Sequence, residues 1–334
     1  LPAIFVVAAM VLVAAACGQG SGGDSNDDSG SGSSGATSGG SGGAGGGTTA
    51  SASFPVTIED SLDRQVRIGQ EPEEIASMVP SVTETLFEVG AGDRVVGVSE
   101  AGDYPEEVES IEEVGNYNEV NAEKIASLQT DLLFLSYDST TEDQAESLQD
   151  RTGAKVVVIN PTSVDEAIQS IGTVGEVVGN EDQAEAVEER LRSELDDLRS
   201  EVEGLPEPEM FYEVGYDPLF TAGPGSFVND AINLAGGENI AADAGQAYPQ
   251  YSVEKILEDD PRYYLAGESS GATVKGIKSR QQYSSLTAVE QDKVFVINDD
   301  LVTRPGPRIV DGVREIAEVI HPEAFDGEST TGGG

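Results

Sequence analysis

Three kinds of reactive side chain are nearly missing from this sequence: it has one cysteine, one histidine, and 18 lysines and arginines against 62 aspartates and glutamates. The histidine, His321 in VIHPEAF, is too little for a zinc or manganese site, which wants several imidazoles beside carboxylates. Next to a proline at a helix end it is also badly placed as the base of a Ser-His-Asp triad, and no G-x-S-x-G elbow accompanies it. Carboxylate-only chemistry is left open by the abundance of acids. The shortage of cations, with a formal charge of -44, removes nucleic acid as a partner. The acids are spread along the chain rather than clustered, so the charge reads as a halophile's surface, where carboxylates hold water in concentrated salt. Repulsion of acidic substrates, or collection of cations, is the other reading. At about 1 M salt the Debye length falls to about 3 Å and self-repulsion is screened, so structure should be lost in dilute buffer.

The lone cysteine follows an apolar leader, AIFVVAAMVLVAAA at residues 3–16, which is short for a bilayer span and fits a signal-peptide core. The first residue is Leu1, so a charged segment before it is expected to be missing from the sequence. Small residues and then Cys17 look like a lipobox, although Ala14 stands where Leu is more usual; a cleaved signal with an incidental cysteine is the alternative. In the lipobox reading residues 1–17 are signal and lipobox, Cys17 is lipidated, and no thiol remains for a disulfide or for catalysis. Residues 18–53 are Gly, Ser, Thr, Ala and Asp almost throughout, a composition that cannot bury enough apolar surface to order itself. They form a tether with a reach of about 30–35 Å. Residues 326–334 form a similar tail without a hydrophobic anchor.

Between these ends, apolar runs alternate with amphipathic stretches. IASMVPSVTETLFEVGAGDRVVGVS reads strand, helix, strand, with Ser81 and Glu84 as a capping box and Gly90 as the stop. After a loop around DYPEEVESIEEVGNYNEV come helix NAEKIASL, strand DLLFLS, helix TEDQAESLQDRTG and strand KVVVIN. Such alternation implies parallel βα units. No strand pattern falls between residues 163 and 205; Val187, Leu191, Leu195, Leu198, Val202 and Leu205 mark one face of a long helix, with Asn180 as its cap and Gly204 as its stop. Alternation then resumes with EMFYEVG, SFVNDAINLAGG, SVEKILEDD, YYLAG, KVFVIND and PRIVDGVREIAEVI, the last opened by Pro307 in its first turn. The expected organisation is an amino-terminal lobe at 54–165, a helical connector at 166–205 and a carboxyl-terminal lobe at 206–325. A short echo supports two similar lobes: VNAEKIASLQTDLLFL at 120–135 and YSVEKILEDDPRYYLA at 251–266 match in cap, Glu-Lys-Ile and apolar run.

Several stretches together resemble the ABC-importer substrate-binding proteins that carry cobalamin, ferric siderophores or haem, and most of all the cobalamin binders among them. They are PSVTETLFEVGAGDRVVGVS with DYP, VGNYNEVNAEKIASLQTDLLFL, GYDPLFTAGPGSFVNDAINLAGGENIAADAGQAYPQYSVEKIL, and RPGPRIVDGV, covering roughly residues 54–325. The resemblance implies an α/β fold of two Rossmann-like lobes joined by one long rigid helix, the class III periplasmic-binding-protein arrangement. It implies a corrinoid or iron chelate held between the lobes against Tyr117, Tyr137, Phe220 and Tyr248, with Gly223 in the loop FTAGPGS as ligand-contacting backbone and Arg304 and Arg308 as polar contacts. Tyrosine suits the task through its broad apolar face, polar tip and few rotors. Ordinary packing is the alternative for the tyrosines, and surface ion pairing for the arginines. Ala101 and Leu301 stand where the family places aromatics, and the chain has no tryptophan.

The resemblance further implies that Glu123 and Glu254, one per lobe, dock on arginines of a permease dimer coupled to an ATPase. A simpler account exists: each opens a helix behind a capping residue, where the helix dipole favours a carboxylate. No enzyme activity, resident cofactor or protein-bound metal is expected. The chain is expected to be a monomer, lipid-anchored on the extracellular face of the cytoplasmic membrane. The rivals are a ferric-siderophore or haem receptor of the same fold, and a surface-tethered sensor or scaffold without transport.

Overall fold

The computed structural model describes residues 54–116, 119–136 and 140–325. The described chain enters through an antiparallel hairpin, β1 (Val56–Glu59) and β2 (Gln65–Ile68), whose alternate residues Ile58, Val66 and Ile68 are buried. Asp60 holds its turn, accepting from the Leu62 and Arg64 amides at 3.0 and 3.2 Å.

A six-stranded sheet follows, built from β3 (Ile75–Ser77), β4 (Val95–Ser99), β5 (Glu112–Asn116), β6 (Glu119–Val120), β7 (Leu132–Ser136) and β8 (Lys155–Ile159). Its order is β6-β5-β4-β3-β7-β8, parallel except for the β5/β6 pair. The stretch expected to be a loop therefore contains β5 and β6. Glu112 and Glu113 mask β5, because only Val114 of that strand is fully buried and no apolar alternation shows. The second sheet comprises β9 (Glu209–Tyr216), β10 (Leu219–Thr221), β11 (Glu238–Asn239), β12 (Tyr263–Gly267) and β13 (Val294–Ile297), in the order β10-β9-β12-β13 with β11 beside the start of β9. β9, β12 and β13 are parallel, and the apolar runs of β7, β8 and β12 are buried on both faces, as helix-covered parallel sheets require.

Helices cover both sheets. The first lobe has α1 (Pro80–Glu88), α2 (Ala122–Ser127) and α3 (Glu142–Thr152), the last opened by a full Thr141/Gln144 capping box. Then come α4 (Val164–Val178) and α5 (Glu181–Val202), packed together and separated by Gly179 at φ 78°. The second lobe adds α6 (Phe227–Leu234), α7 (Val253–Asp259), α8 (Val274–Lys278), α9 (Thr287–Glu290), α10 (Asp300–Thr303), α11 (Ile309–Ile320) and α12 (Pro322–Phe325).

α5 is the long connecting helix. Its 22 residues rise about 33 Å at 1.5 Å each. It leaves the first lobe where Arg190 pairs with Glu88 at 2.8 Å, and reaches the second where Arg314 pairs with Glu201 at 3.3 Å. Val187, Leu191, Leu195 and Leu198 are buried as the spacing predicts, while Leu205 lies beyond the helix end. One apolar cluster runs without a break from Val82 and Leu86 through Ile168 and Ile171 to Leu191 and Leu195, and on to Val228, Val313 and Ile316.

Three local expectations change. Ser81 does not cap α1: Pro80 opens the helix, Val79 precedes it without a side-chain cap, and Glu84 is engaged elsewhere. Asn180 precedes α5 but does not cap it; its side chain donates to the Val89 carbonyl at 2.7 Å and accepts from Arg94 at 2.6 Å, tying the helix start to the first lobe. Pro307 sits ahead of α11, whose first residue is Ile309. Gly90 and Gly204 do follow their helices in the left-handed region, at φ 81° and 78°.

Candidate functional site at the carboxyl ends of the strands

Parallel strands deliver their carboxyl ends to one edge of each sheet, and in open α/β folds that edge is where ligands bind. β10 carries Phe220 and Thr221 and leads to Gly223, and this segment is zipped to residues 247–251. The Gly223 amide donates to the Ala247 carbonyl at 2.7 Å, Thr221 to Pro249 at 3.2 Å, and Tyr251 to Leu219 at 3.0 Å. Phe220 also bridges to Gln250. A Cβ on Gly223 would meet the Gln246 carbonyl oxygen at 2.4 Å, so close backbone approach demands glycine there. The Gly223 amide is thus committed to protein rather than presented to an anion. The neighbouring Ser226 hydroxyl donates to the Gly223 carbonyl at 2.8 Å and accepts from Asn229 at 3.2 Å, capping α6. On this braced pair of loops Phe220 is half-buried and Tyr248 is 45% exposed.

Arg304 and Arg308 face the first lobe. Arg308 forks onto Glu84 of α1 at 2.8 and 2.7 Å, and Glu84 is almost wholly buried. Arg304 reaches Asp103 at 2.5 Å, Asp300 at 3.0 Å and Glu84 at 3.6 Å. The Glu84 fork, with the carboxylate's charge, raises the Arg308 pKa above its usual value despite burial. The Arg304 hydrogen bond holds the Asp103 carboxyl below the ordinary carboxylate range. Both arginines, expected as polar ligand contacts, here close an ion-pair bridge between the lobes. Glu84 was the residue that sequence reasoning missed, because its S-x-x-E spacing imitates a cap. Arg308 also lies over the Tyr104 ring, 4.0 Å from its centroid.

A second arginine stack occurs wholly within the second lobe. Glu213 of β9 is fully buried and accepts two hydrogen bonds from Arg280, one of them at 2.8 Å, together with one from the Tyr264 hydroxyl. Desolvation and the Glu213 charge push the Tyr264 phenol far above its normal range. The Arg280 guanidinium lies 3.5 Å from the centroid of Tyr216, which ends β9.

The two echoed helix starts sit at matching places. α2 leads into β7 beside β3, and α7 leads into β12 beside β9. Asn121 and Ser252 cap them, each accepting from the amide three residues on at 3.1 Å. The adjoining lysines turn to other acids, Lys124 to Glu112 and Lys255 to Asp259, both at 2.6 Å. Glu123 and Glu254 are exposed and enter no ion pair among the described residues.

Tyr117, Tyr137 and Cys17 lie outside the described residues. Among the described residues no cluster of His, Cys, Asp or Glu could hold a metal ion, and no helix is long and apolar enough to cross a membrane.

The periplasmic binding protein family model matches residues 75–301. An uncharacterized ABC transporter substrate-binding lipoprotein of Bacillus subtilis is 35% identical over 279 residues, covering 81% of this chain and 87% of that protein. A cobalamin-binding protein of Halobacterium salinarum is 29% identical over 282 residues, covering 81% of this chain and 75% of that one. The crystal structure of a periplasmic vitamin B12-binding protein of Vibrio cholerae superposes with a TM-score of 0.67 at 29% identity, covering 76% of this chain and 98% of that chain. With two α/β lobes, one connecting helix and this match through both sheets, the chain belongs to the periplasmic binding protein family.

Proposed function

We propose that the protein captures cobalamin or a related corrinoid between its two lobes and hands it to an ABC importer, while Cys17 anchors it by lipid to the outer face of the cytoplasmic membrane. The observation that carries the reading is the zipped pair of segments that holds Phe220 and Tyr248 beside β10, the antiparallel edge strand of the second sheet. Those segments are the DPLFTAG and QAYPQ stretches, and relatives named for vitamin B12 and cobalamin support the ligand class. Tyr117 and Tyr137 complete the proposed aromatic lining. Glu123 and Glu254, exposed, without an ion pair among the described residues and equivalently placed, are the proposed contacts to the two halves of a permease. In concentrated salt such contacts must be buried at the interface to count, since exposed ion pairs are screened.

A ferric siderophore or haem is the second reading, favoured by the absence of tryptophan and by Ala101 and Leu301 at positions the family fills with aromatics. Calorimetric titration of the protein in molar KCl with cyanocobalamin, cobinamide, hemin and ferrichrome separates the two. Heat with either corrinoid is the expected result; heat only with hemin or ferrichrome transfers the function to the second reading.

A further inference from the structure

Three large apolar side chains are exposed among the described residues, and all are tyrosines: Tyr104 at 46%, Tyr216 at 38% and Tyr248 at 45%. Two of them stand at the carboxyl edge of a sheet. Tyr104 follows β4, Tyr216 is the last residue of β9, and Tyr248 rides on the zipped loop. The first two share a construction, one in each lobe. Arg308 covers one face of Tyr104 at 4.0 Å, and Arg280 covers one face of Tyr216 at 3.5 Å. Behind each arginine a buried carboxylate accepts two hydrogen bonds from one edge of the guanidinium: Glu84 in one case and Glu213 in the other.

A surface tyrosine needs no buried ion pair behind it, and burying a carboxylate is costly unless its partner geometry is good. What the arrangement achieves is a ring fixed in orientation, with one face on a cation and about two-fifths of the residue still exposed. We propose that Tyr104 and Tyr216 are two further ligand-contacting residues, one per lobe, whose rings are set by Glu-Arg stacks to receive the flat conjugated face of a macrocycle. The inference rests on the cleft being a macrocycle site, as proposed above. It accounts for how a chain without tryptophan, and with Ala101 and Leu301 in place of aromatics, retains an aromatic surface. Rings already held in place lose little freedom on binding. Because the ion pairs behind them are buried, concentrated salt screens them far less than it screens surface pairs.

The test uses the full chain in molar KCl, with cyanocobalamin, hemin and ferrichrome as probes. Tyr104→Ala and Tyr216→Ala should each weaken binding of the accepted probe about two- to tenfold, the range for losing one aromatic contact, without lowering Tm. Tyr104→Phe and Tyr216→Phe should restore it. Arg280→Lys keeps a cation for Glu213 but removes the flat face, so it should weaken binding by itself and add nothing to Tyr216→Ala. Alanine variants that bind like the parent overturn the proposal while leaving the ligand reading intact. A loss that phenylalanine does not restore and that follows a fall in Tm assigns the tyrosines to packing and overturns it too. A parent protein that binds none of the three probes overturns the ligand reading and this inference together.

Discussion

At Gly223 the backbone of two segments meets closely: its amide donates to the Ala247 carbonyl, and its missing Cβ makes room for the Gln246 carbonyl. Gly223→Ala should therefore destabilise the protein by about 1–3 kcal/mol through overpacking and also weaken ligand binding, because the loop carrying Tyr248 must shift; thermal melts and titration check both. Glu315 on α11 offers a pH test. Burial raises its pKa above the ordinary value, with Glu268 and Glu318 adding to the shift and the Asn298 amide opposing it. A raised folded-state pKa means that stability is fully present below the unfolded value, about 4.3, and is lost as pH rises through the folded one. Glu315→Gln should thus melt higher than the parent at pH 7, with the gap closing below about pH 4 in a Tm-against-pH series.

Among helices, the stops were readable and some of the starts were not. Gly90 and Gly204 end their helices in the left-handed region, a property of the residue itself. Ser81 and Asn180 have the chemistry of caps, but Pro80 decides otherwise at the first, and at the second the Asn180 side chain is taken up by Arg94 and the Val89 carbonyl. Where a cap stands clear of tertiary partners, as at Asn121 and Ser252, the local pattern was enough. The echoed starts of α2 and α7 carry the proposed docking role. Glu123→Ala with Glu254→Ala should leave ligand affinity unchanged and reduce uptake in cells. The dipole account predicts only a stability loss of about 0.3–1 kcal/mol per helix, seen as a lower Tm with normal uptake.

Two further outcomes belong to the assembled lobes. The apolar cluster that passes from α1 through α4 and α5 into α6 and α11 has no seam where one lobe could roll freely on the other. Ligand binding should accordingly change the lobe angle by only a few degrees, and crystal structures with and without ligand would contradict this with a hinge rotation of tens of degrees. The charge of -44 belongs to the entire surface. Only 18 cations oppose 62 acids, so dilution of salt lengthens the range of repulsion among carboxylates that share few partners. Far-UV circular dichroism should show structure lost at 50 mM salt and restored in molar KCl.

The alternation of strand and helix, the long amphipathic connector, the paired lobes and the acidic character were all decided by residues close together in the chain or by composition, where periodicity and backbone preference act directly. Tertiary structure alone decided the roles of Glu84 and Glu213. Glu84 and Arg308 are 224 residues apart, and nothing local distinguishes that carboxylate from a helix cap until α1 and the RPGPR segment meet across the lobes. The same holds for β5, whose acidic residues hide a strand that exists because β4 offers it an edge. Short-range preferences are additive along a sequence. The partners of a buried charge are set by which sheet edges packing brings together, and that depends on the entire fold.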